Sequence, residues 1–147
     1  MIALLQRVNS AAVYINQQNY NHINKGLLIF LGIGHNDSVK DINYLVDKII
    51  NFRIFNDNKG KMNLSILDRE LEILLISQFT LLADTKQGRR PSFIKSANPE
   101  LAENLYNLFA EELNKTNLTI KTGQFGSMMD IKLTNSGPAT FILNSDS

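Results

Sequence analysis

The chain has 147 residues, 44% of them hydrophobic, with a net charge of +1 and neither cysteine nor tryptophan. One domain of this size buries roughly 68–70% of its unfolded surface, so its core needs no disulfide or structural metal. The absent cysteine excludes a disulfide framework, a thiolate zinc site and a thiol nucleophile, and two histidines, His22 and His35, are too few for a histidine-rich metal centre. The charge excludes a strongly basic nucleic-acid coat protein but leaves room for a local basic patch.

The opening reads as strands: Ile2, Leu4 and Val8 alternate with Ala3, Leu5 and Arg7, and Ala12 to Ile15 follows after Asn9-Ser10. The start carries no charged stretch ahead of an apolar one, as a signal peptide would. The polar stretch Asn16 to Asn21 reads as a hairpin turn. Leu27 to Leu31 is a continuous apolar run between Gly26 and Gly32, the pattern of a strand buried on both faces. The longest apolar run, Gly26 to Gly34, falls far short of the ~20 residues of a membrane helix. The expectation is a soluble cytoplasmic protein with no membrane partner.

Ser38 starts a helix, with Asp41 completing a capping box and Val39, Ile42, Leu45, Val46, Ile49 and Ile50 at helical spacing. Arg53-Ile54-Phe55 is short and extended, Asn56 to Gly60 is a turn, and Leu71 to Ile76 is a strand. Asn98-Pro99-Glu100 opens a second helix with a cap residue, a proline at the first helical position and an acid in the first turn. Its inner stripe is Leu101, Leu105, Leu108, Phe109 and Leu113. Three extended pieces follow, Leu118–Thr122, Met128–Leu133 and Ala139–Leu143. The order ββ-β-α-β-β-α-βββ describes one mixed α/β domain over residues 1–147, with sheet dominating.

The available chemistry is narrow. A Ser-His-Asp triad needs a histidine base; His35, between a strand and a helix start, is a plausible site but reads first as an exposed loop residue, and His22 beside the polar hairpin offers less. No Gly-x-Gly-x-x-Gly or Walker loop is present, and no paired carboxylates stand out, since Glu111-Glu112 reads as a solvated helix face. Met128-Met129 reads as gap-filling core. Two segments resist so plain a description. Ser77-Gln78-Phe79-Thr80 ends a buried strand in three polar side chains around one aromatic, where open sheets place binding groups, although a simple strand exit has the same composition. Asn135-Ser136-Gly137-Pro138-Ala139-Thr140 lies between two late strands, where an ordinary turn would also sit. Between them, Lys86, Arg89, Arg90 and Lys95 make a basic loop with no acid from Thr85 to Pro99, suited to phosphates or simply solvated.

Taken together, Ser77-Gln78-Phe79-Thr80-Leu81 and Asn135-x-Gly137-Pro138-x-Thr140 resemble the two signature motifs of the D-aminoacyl-tRNA deacylases. Gln6-Arg7-Val8, Gly26-Leu27-Leu28, Arg53-Ile54-Phe55, Gly60 to Leu64, Arg90 to Phe93 and Thr122-Gly123-x-Phe125-Gly126-x-x-Met129 look like further family segments, so the resemblance covers essentially the whole chain. Ser136, Ala139 and Met128 depart from the Asp, Val and Asp usual there. The resemblance implies β/β/α layers with two main helices, a homodimer with active sites at the subunit interface, and no metal or cofactor. It implies hydrolysis of the ester joining a D-amino acid, and also glycine, to the terminal adenosine of tRNA, with L-amino acids rejected by a Gly-cisPro motif at Gly137-Pro138. Phe125 and Met129 are similar to the family's adenosine pocket, and Arg7 to an arginine that supports the Gly-Pro loop.

Beside this, Thr80 is a tempting nucleophile without an evident base. Ser77, Gln78, Phe79 and Thr80 are therefore expected to position the carbonyl and contact the oxyanion, with Lys86, Arg89, Arg90 and Lys95 on tRNA phosphates. Two rivals remain: a non-enzymatic RNA-binding module resting on the basic loop, and a Thr80-nucleophile hydrolase of small D-amino-acid derivatives.

Overall fold

The computed structural model describes residues 1–146. Ile2–Ile15 is one strand, β1, rather than two. Asn9 and Ser10 are exposed and mark a register shift, not a break. The following turn is also tighter than its composition suggests. Asn16 and Gln17 alone turn the chain, both at positive φ (50° and 66°), the pattern of a two-residue type I′ hairpin. The polar residues that follow form strand β2 (Gln18–Ile23). It hides from pattern reading because it lies at the end of the sheet with its side chains mostly exposed.

β3 (Gly26–Gly32) is buried on both faces, as expected, with only Phe30 partly exposed. Then come α1 (Val39–Asn51), a ribbon of β4 (Phe55–Asn56) and β5 (Met62–Leu64), one helical turn α2 (Ile66–Arg69), and β6 (Glu72–Ser77). A short 3₁₀ turn covers Phe79–Leu82, followed by α3 (Pro99–Asn114), β7 (Thr119–Thr122) and β8 (Asp130–Asn144). The two extended pieces read at Met128–Leu133 and Ala139–Leu143 are thus one strand, which starts at Asp130 and runs through Gly137-Pro138.

The helix starts follow the sequence. The Asp41 carboxylate accepts the Ser38 N–H at 2.8 Å, and Asn98 Oδ1 accepts the Leu101 N–H at 2.9 Å. A second capping box, Ser65 with Asp68, starts α2.

The main sheet runs β2-β1-β3-β6-β7, with β8 antiparallel along the other edge of β1. β3, β6 and β7 are mutually parallel. One face packs on the helices: Leu27, Ile29, Leu31, Ile73 and Leu75 meet Ile42, Leu45 and Ile49 of α1 and Leu105, Tyr106, Phe109 and Leu113 of α3. The opposite face holds a smaller core of Val8, Ala11, Val13, Ile23, Leu28, Leu74 and Ile76. A second core on that side requires the sheet to curl over itself. Its two ends meet where the Asn21 side-chain amide of β2 donates to the Thr122 carbonyl of β7 at 2.7 Å. The result is a nearly closed barrel with helices on one flank. Phe109 is fully buried between the layers. No helix among the described residues is long and apolar enough to cross a membrane.

Candidate active site

β6 ends at Ser77, opposite Leu31 of β3. The pairing continues one residue further, with the Gln78 N–H donating to the Leu31 carbonyl at 2.8 Å, before the chain tightens into the 3₁₀ turn. Gly32 makes that turn possible: a Cβ there would lie 3.1 Å from both the Gln78 oxygen and the Leu81 Cβ. The Leu81 N–H donates to the Gln78 carbonyl, so the Phe79 and Thr80 amides, which precede it, have no acceptor within the turn. The Gln78 side-chain amide donates to the Thr80 hydroxyl. Phe79 is 55% exposed and edge-on to Phe93, with ring centres 5.0 Å apart.

Ser77, Gln78 and Phe79 open onto a cavity of about 550 Å³, shared with Phe125, Met129, Ile131, Ile33, Ser96 and Ala97. Its far wall is the 124–131 segment. The Ser127 N–H donates to the Gln124 carbonyl, and Gly126 is left-handed at φ +74°, so a tight turn presents Phe125. Gly123 leaves the space that Met129 uses: a Cβ there would sit 2.7 Å from the Met129 sulfur. Met129 packs on the smaller core as well as lining the cavity, whereas Met128 is 91% exposed and corrects the expectation of a buried pair. Met128 precedes β8, on the rim of the cavity mouth, where no core reaches it. The lining holds no carboxylate, histidine or lysine among the described residues. A catalytic triad is therefore not built here.

The second motif stands elsewhere. Between Val8 and Gln6, β1 advances two residues while β8 advances five, from Asn135 to Thr140, so residues 136–139 loop out of the ladder. Asn135 Nδ2 donates to Thr140 Oγ1 at 3.1 Å across the base of this bulge, and Gly137 leaves room for the Asn135 side chain, whose Oδ1 would be 2.8 Å from a Cβ there. The Gly137–Pro138 peptide is cis, as the resemblance implied. Arg7, the residue of β1 beneath the bulge, is buried. Its Nε donates to the Ser136 carbonyl at 3.0 Å, and its Nη1 donates to the Ile54 carbonyl at 2.6 Å and to Asn56 Oδ1 at 3.3 Å. Gly137 and Pro138 are exposed and do not line the cavity. Thr140 lies opposite Gln6, whose partner in β3 is Leu28, while Ser77 lies opposite Leu31. Within one chain the two motifs do not meet.

The basic loop is a protruding hairpin. Asp84 and Ser92 exchange backbone hydrogen bonds of 2.8 and 2.9 Å at its base, and Gly88 turns it at φ +69°. Lys86, Arg89, Arg90 and Lys95 are exposed, and none forms an ion pair among the described residues. His35 ties the loop's far end down, its N–H donating to the Lys95 carbonyl at 3.1 Å. His22 lies in a separate hollow of about 390 Å³ with Tyr14 and Lys132, the lysine nitrogen 4.6 Å from the Tyr14 ring centre. One group escaped sequence reading. Asp37, Asp41 and Asp146 come together around the Met1 ammonium, which donates to Asp37 at 2.6 Å. Burial works against the Asp41 charge, but hydrogen bonds from Ser145 and Ser38 outweigh it and hold this carboxyl below its ordinary range.

A helix-flanked, nearly closed barrel of this kind is found in solved structures. A solved structure titled "c-Myc DNA Unwinding Element Binding Protein" superposes with a TM-score of 0.93 at 38% identity, covering 98% of each chain. A probable eukaryotic D-amino acid tRNA deacylase shares the fold with a TM-score of 0.85 at 15% identity, covering 97% of each. The family profile of D-Tyr-tRNA(Tyr) deacylase matches residues 4–144. D-aminoacyl-tRNA deacylase of Thermosipho melanesiensis is 53% identical over 99% of this chain and 97% of its own length. That of Thermodesulfovibrio yellowstonii is 54% identical over 98% and 99%. The chain belongs to the D-Tyr-tRNA(Tyr) deacylase family. It is an enzyme, a carboxylic ester hydrolase of the D-aminoacyl-tRNA deacylase kind.

Proposed function

We propose that two copies of this chain build each active site, one supplying the cavity and the other the Gly137-Pro138 bulge. The observation that carries this reading is the separation of the two motifs within a single chain, with both exposed: Phe79 at one site, Gly137 and Pro138 at the other. A two-fold dimer brings each cavity to the partner's bulge and makes two equivalent sites.

In this reading the terminal adenosine of the charged tRNA enters the cavity between Phe125 and Met129. Ser77, Gln78, Phe79 and Thr80 position the ester, and the Phe79 and Thr80 amides at the start of the 3₁₀ turn face the carbonyl oxygen. Water attacks the carbonyl carbon, the oxygen takes up negative charge, and the bond to the ribose oxygen breaks as that oxygen gains a proton. The neighbouring ribose hydroxyl relays the proton, since the cavity supplies no titratable side chain. The products are a free D-amino acid and the tRNA. The bulge's carbonyls hold the α-amino group, and its backbone occupies the position an L side chain would need. Glycine passes, so glycyl-tRNA is a substrate. Lys86, Arg89, Arg90 and Lys95 contact tRNA phosphates, and the working compartment is the cytoplasm.

Mixing two inactive variants tests the shared site. Ser77→Phe fills the cavity and Gly137→Val disables the bulge; each homodimer should be inactive. In a hetero-dimer one of the two sites is intact, so statistical mixing should restore about a quarter of wild-type activity. A mixture as inactive as its parents, with subunit exchange verified, overturns the shared site.

A further inference from the structure

We infer that Tyr106 is a positioning residue for the terminal adenosine, acting through Phe125 by clamping the junction from which the cavity's far wall departs. The inference rests on the reading of that cavity as the adenosine pocket. The other buried positions of α3, Leu105, Phe109 and Leu113, are apolar, and packing alone asks nothing more of this face. Tyr106 is 3% exposed, yet it carries a hydroxyl into the core, and a buried hydroxyl must find an acceptor.

The acceptor is the Leu75 carbonyl of β6, at 2.8 Å. The same oxygen accepts the Gly123 N–H at 3.0 Å, the first amide beyond the end of β7. One carbonyl thus joins α3 and β6 to the start of the segment that carries Phe125. The neighbouring Thr122 carbonyl is held by Asn21 of β2, so this junction is also where the barrel closes. From the other side, the Tyr106 ring lies 5.8 Å from that of Phe125, tilted by 47°. The tyrosine therefore touches both the root of the segment and the aromatic at its tip. Burial, with a smaller contribution from Tyr20, raises its hydroxyl above the ordinary tyrosine range against the opposing effect of Gly123, so it stays a protonated donor at neutral pH.

Losing the hydroxyl removes one of the two donors that the Leu75 carbonyl accepts at this junction, leaving the Gly123 N–H, and should free the turn that presents Phe125. The binding of adenosine should suffer while the chemistry, placed on Ser77 to Thr80, should not. A double-mutant cycle separates this from a purely structural role. The probe is a non-hydrolysable 3′-amide analogue, 3′-(D-tyrosylamino)-3′-deoxyadenosine, titrated calorimetrically into the wild-type protein, Tyr106→Phe, Phe125→Ala and the double variant. Tyr106→Phe should weaken binding about 3–10-fold, the size of one lost hydrogen bond. In the Phe125→Ala background the same change should weaken it less than about twofold, because the group it acts through is gone. The kcat on charged tRNA should stay within about twofold while KM rises.

A lower melting temperature with unchanged analogue affinity overturns the inference, as does an equal loss in both backgrounds. If Phe125→Ala alone leaves affinity unchanged, the adenosine-pocket reading fails and this inference falls with it. If Phe125→Ala weakens binding and Tyr106→Phe does not, only the positioning role is lost. Tyr106→Met gives a second route to the same comparison should the phenylalanine variant not fold.

Discussion

The Arg7 guanidinium donates to the carbonyl of Ser136 at 3.0 Å, one residue ahead of Gly137. The arginine sits where β8 loops away from β1, and its other nitrogen reaches the Ile54 carbonyl and the Asn56 side chain beside β4. A single buried cation thus fastens the bulge to the small ribbon. All its contacts here are to neutral oxygens, so its hold depends on hydrogen-bond geometry. Arg7→Met should lower stability by about 2–3 kcal/mol, on the scale of hydrogen bonds to a charged donor. Arg7→Lys should recover little, because one ammonium on a flexible stem cannot replace a planar fork spanning separate acceptors. Chemical denaturation of the three proteins checks this, and equal stability of all three contradicts it.

Gly137 is the second point of sensitivity. A Cβ there would press on Asn135 Oδ1 at 2.8 Å, and Asn135 is the residue that bridges to Thr140. Gly137→Ala should therefore displace Asn135, cost less than about 1 kcal/mol because the bulge is exposed, and still lower turnover of D-Tyr-tRNA tenfold or more. Thermal melting beside a deacylation assay separates the two effects. Full activity in this variant counts against a role for the bulge.

For the basic hairpin, exposed cations without acidic partners suit phosphate contacts that are indifferent to sequence. Replacing Arg89 and Arg90 together by glutamine should raise KM alike for different tRNAs and reduce the salt slope by about one for each lost contact. A defect confined to one tRNA species would show that the loop reads identity instead.

Thr80 is exposed beside the cavity rather than in its lining, accepts a hydrogen bond from the Gln78 side chain, and finds no base in the adjoining cavity wall. Thr80→Ala should keep measurable deacylation, whereas replacing the substrate's adjacent ribose hydroxyl by hydrogen should abolish it. Trapping an aminoacyl ester on Thr80 would establish covalent catalysis in its place.

Much of this was written locally in the sequence. Ser38 with Asp41 and Asn98 with Pro99 start their helices as their side chains predict, because caps act over three or four residues. The unbroken run in β3 shows burial on both faces for the same local reason. What stayed hidden depends on pairing between distant segments. β2 is polar because it lies at the end of the sheet, and β8 is one strand because β1 supports both of its halves across the Gly-Pro bulge. The motif residues were visible as types and spacing, but the Arg7 link to Asn56 and the shared acceptor of Tyr106 and Gly123 arise only when the sheet curls. Tyr106 offered one signal, a hydroxyl on the apolar stripe of α3.

Discrimination by handedness is read out by one assay: turnover by the purified protein of tRNA charged with D-tyrosine, L-tyrosine or glycine. A backbone placed where an L side chain would point predicts rapid release of D-tyrosine and glycine and release of L-tyrosine no faster than without enzyme. Comparable turnover of L-tyrosine would show that the Gly137-Pro138 bulge does not reject the L side chain.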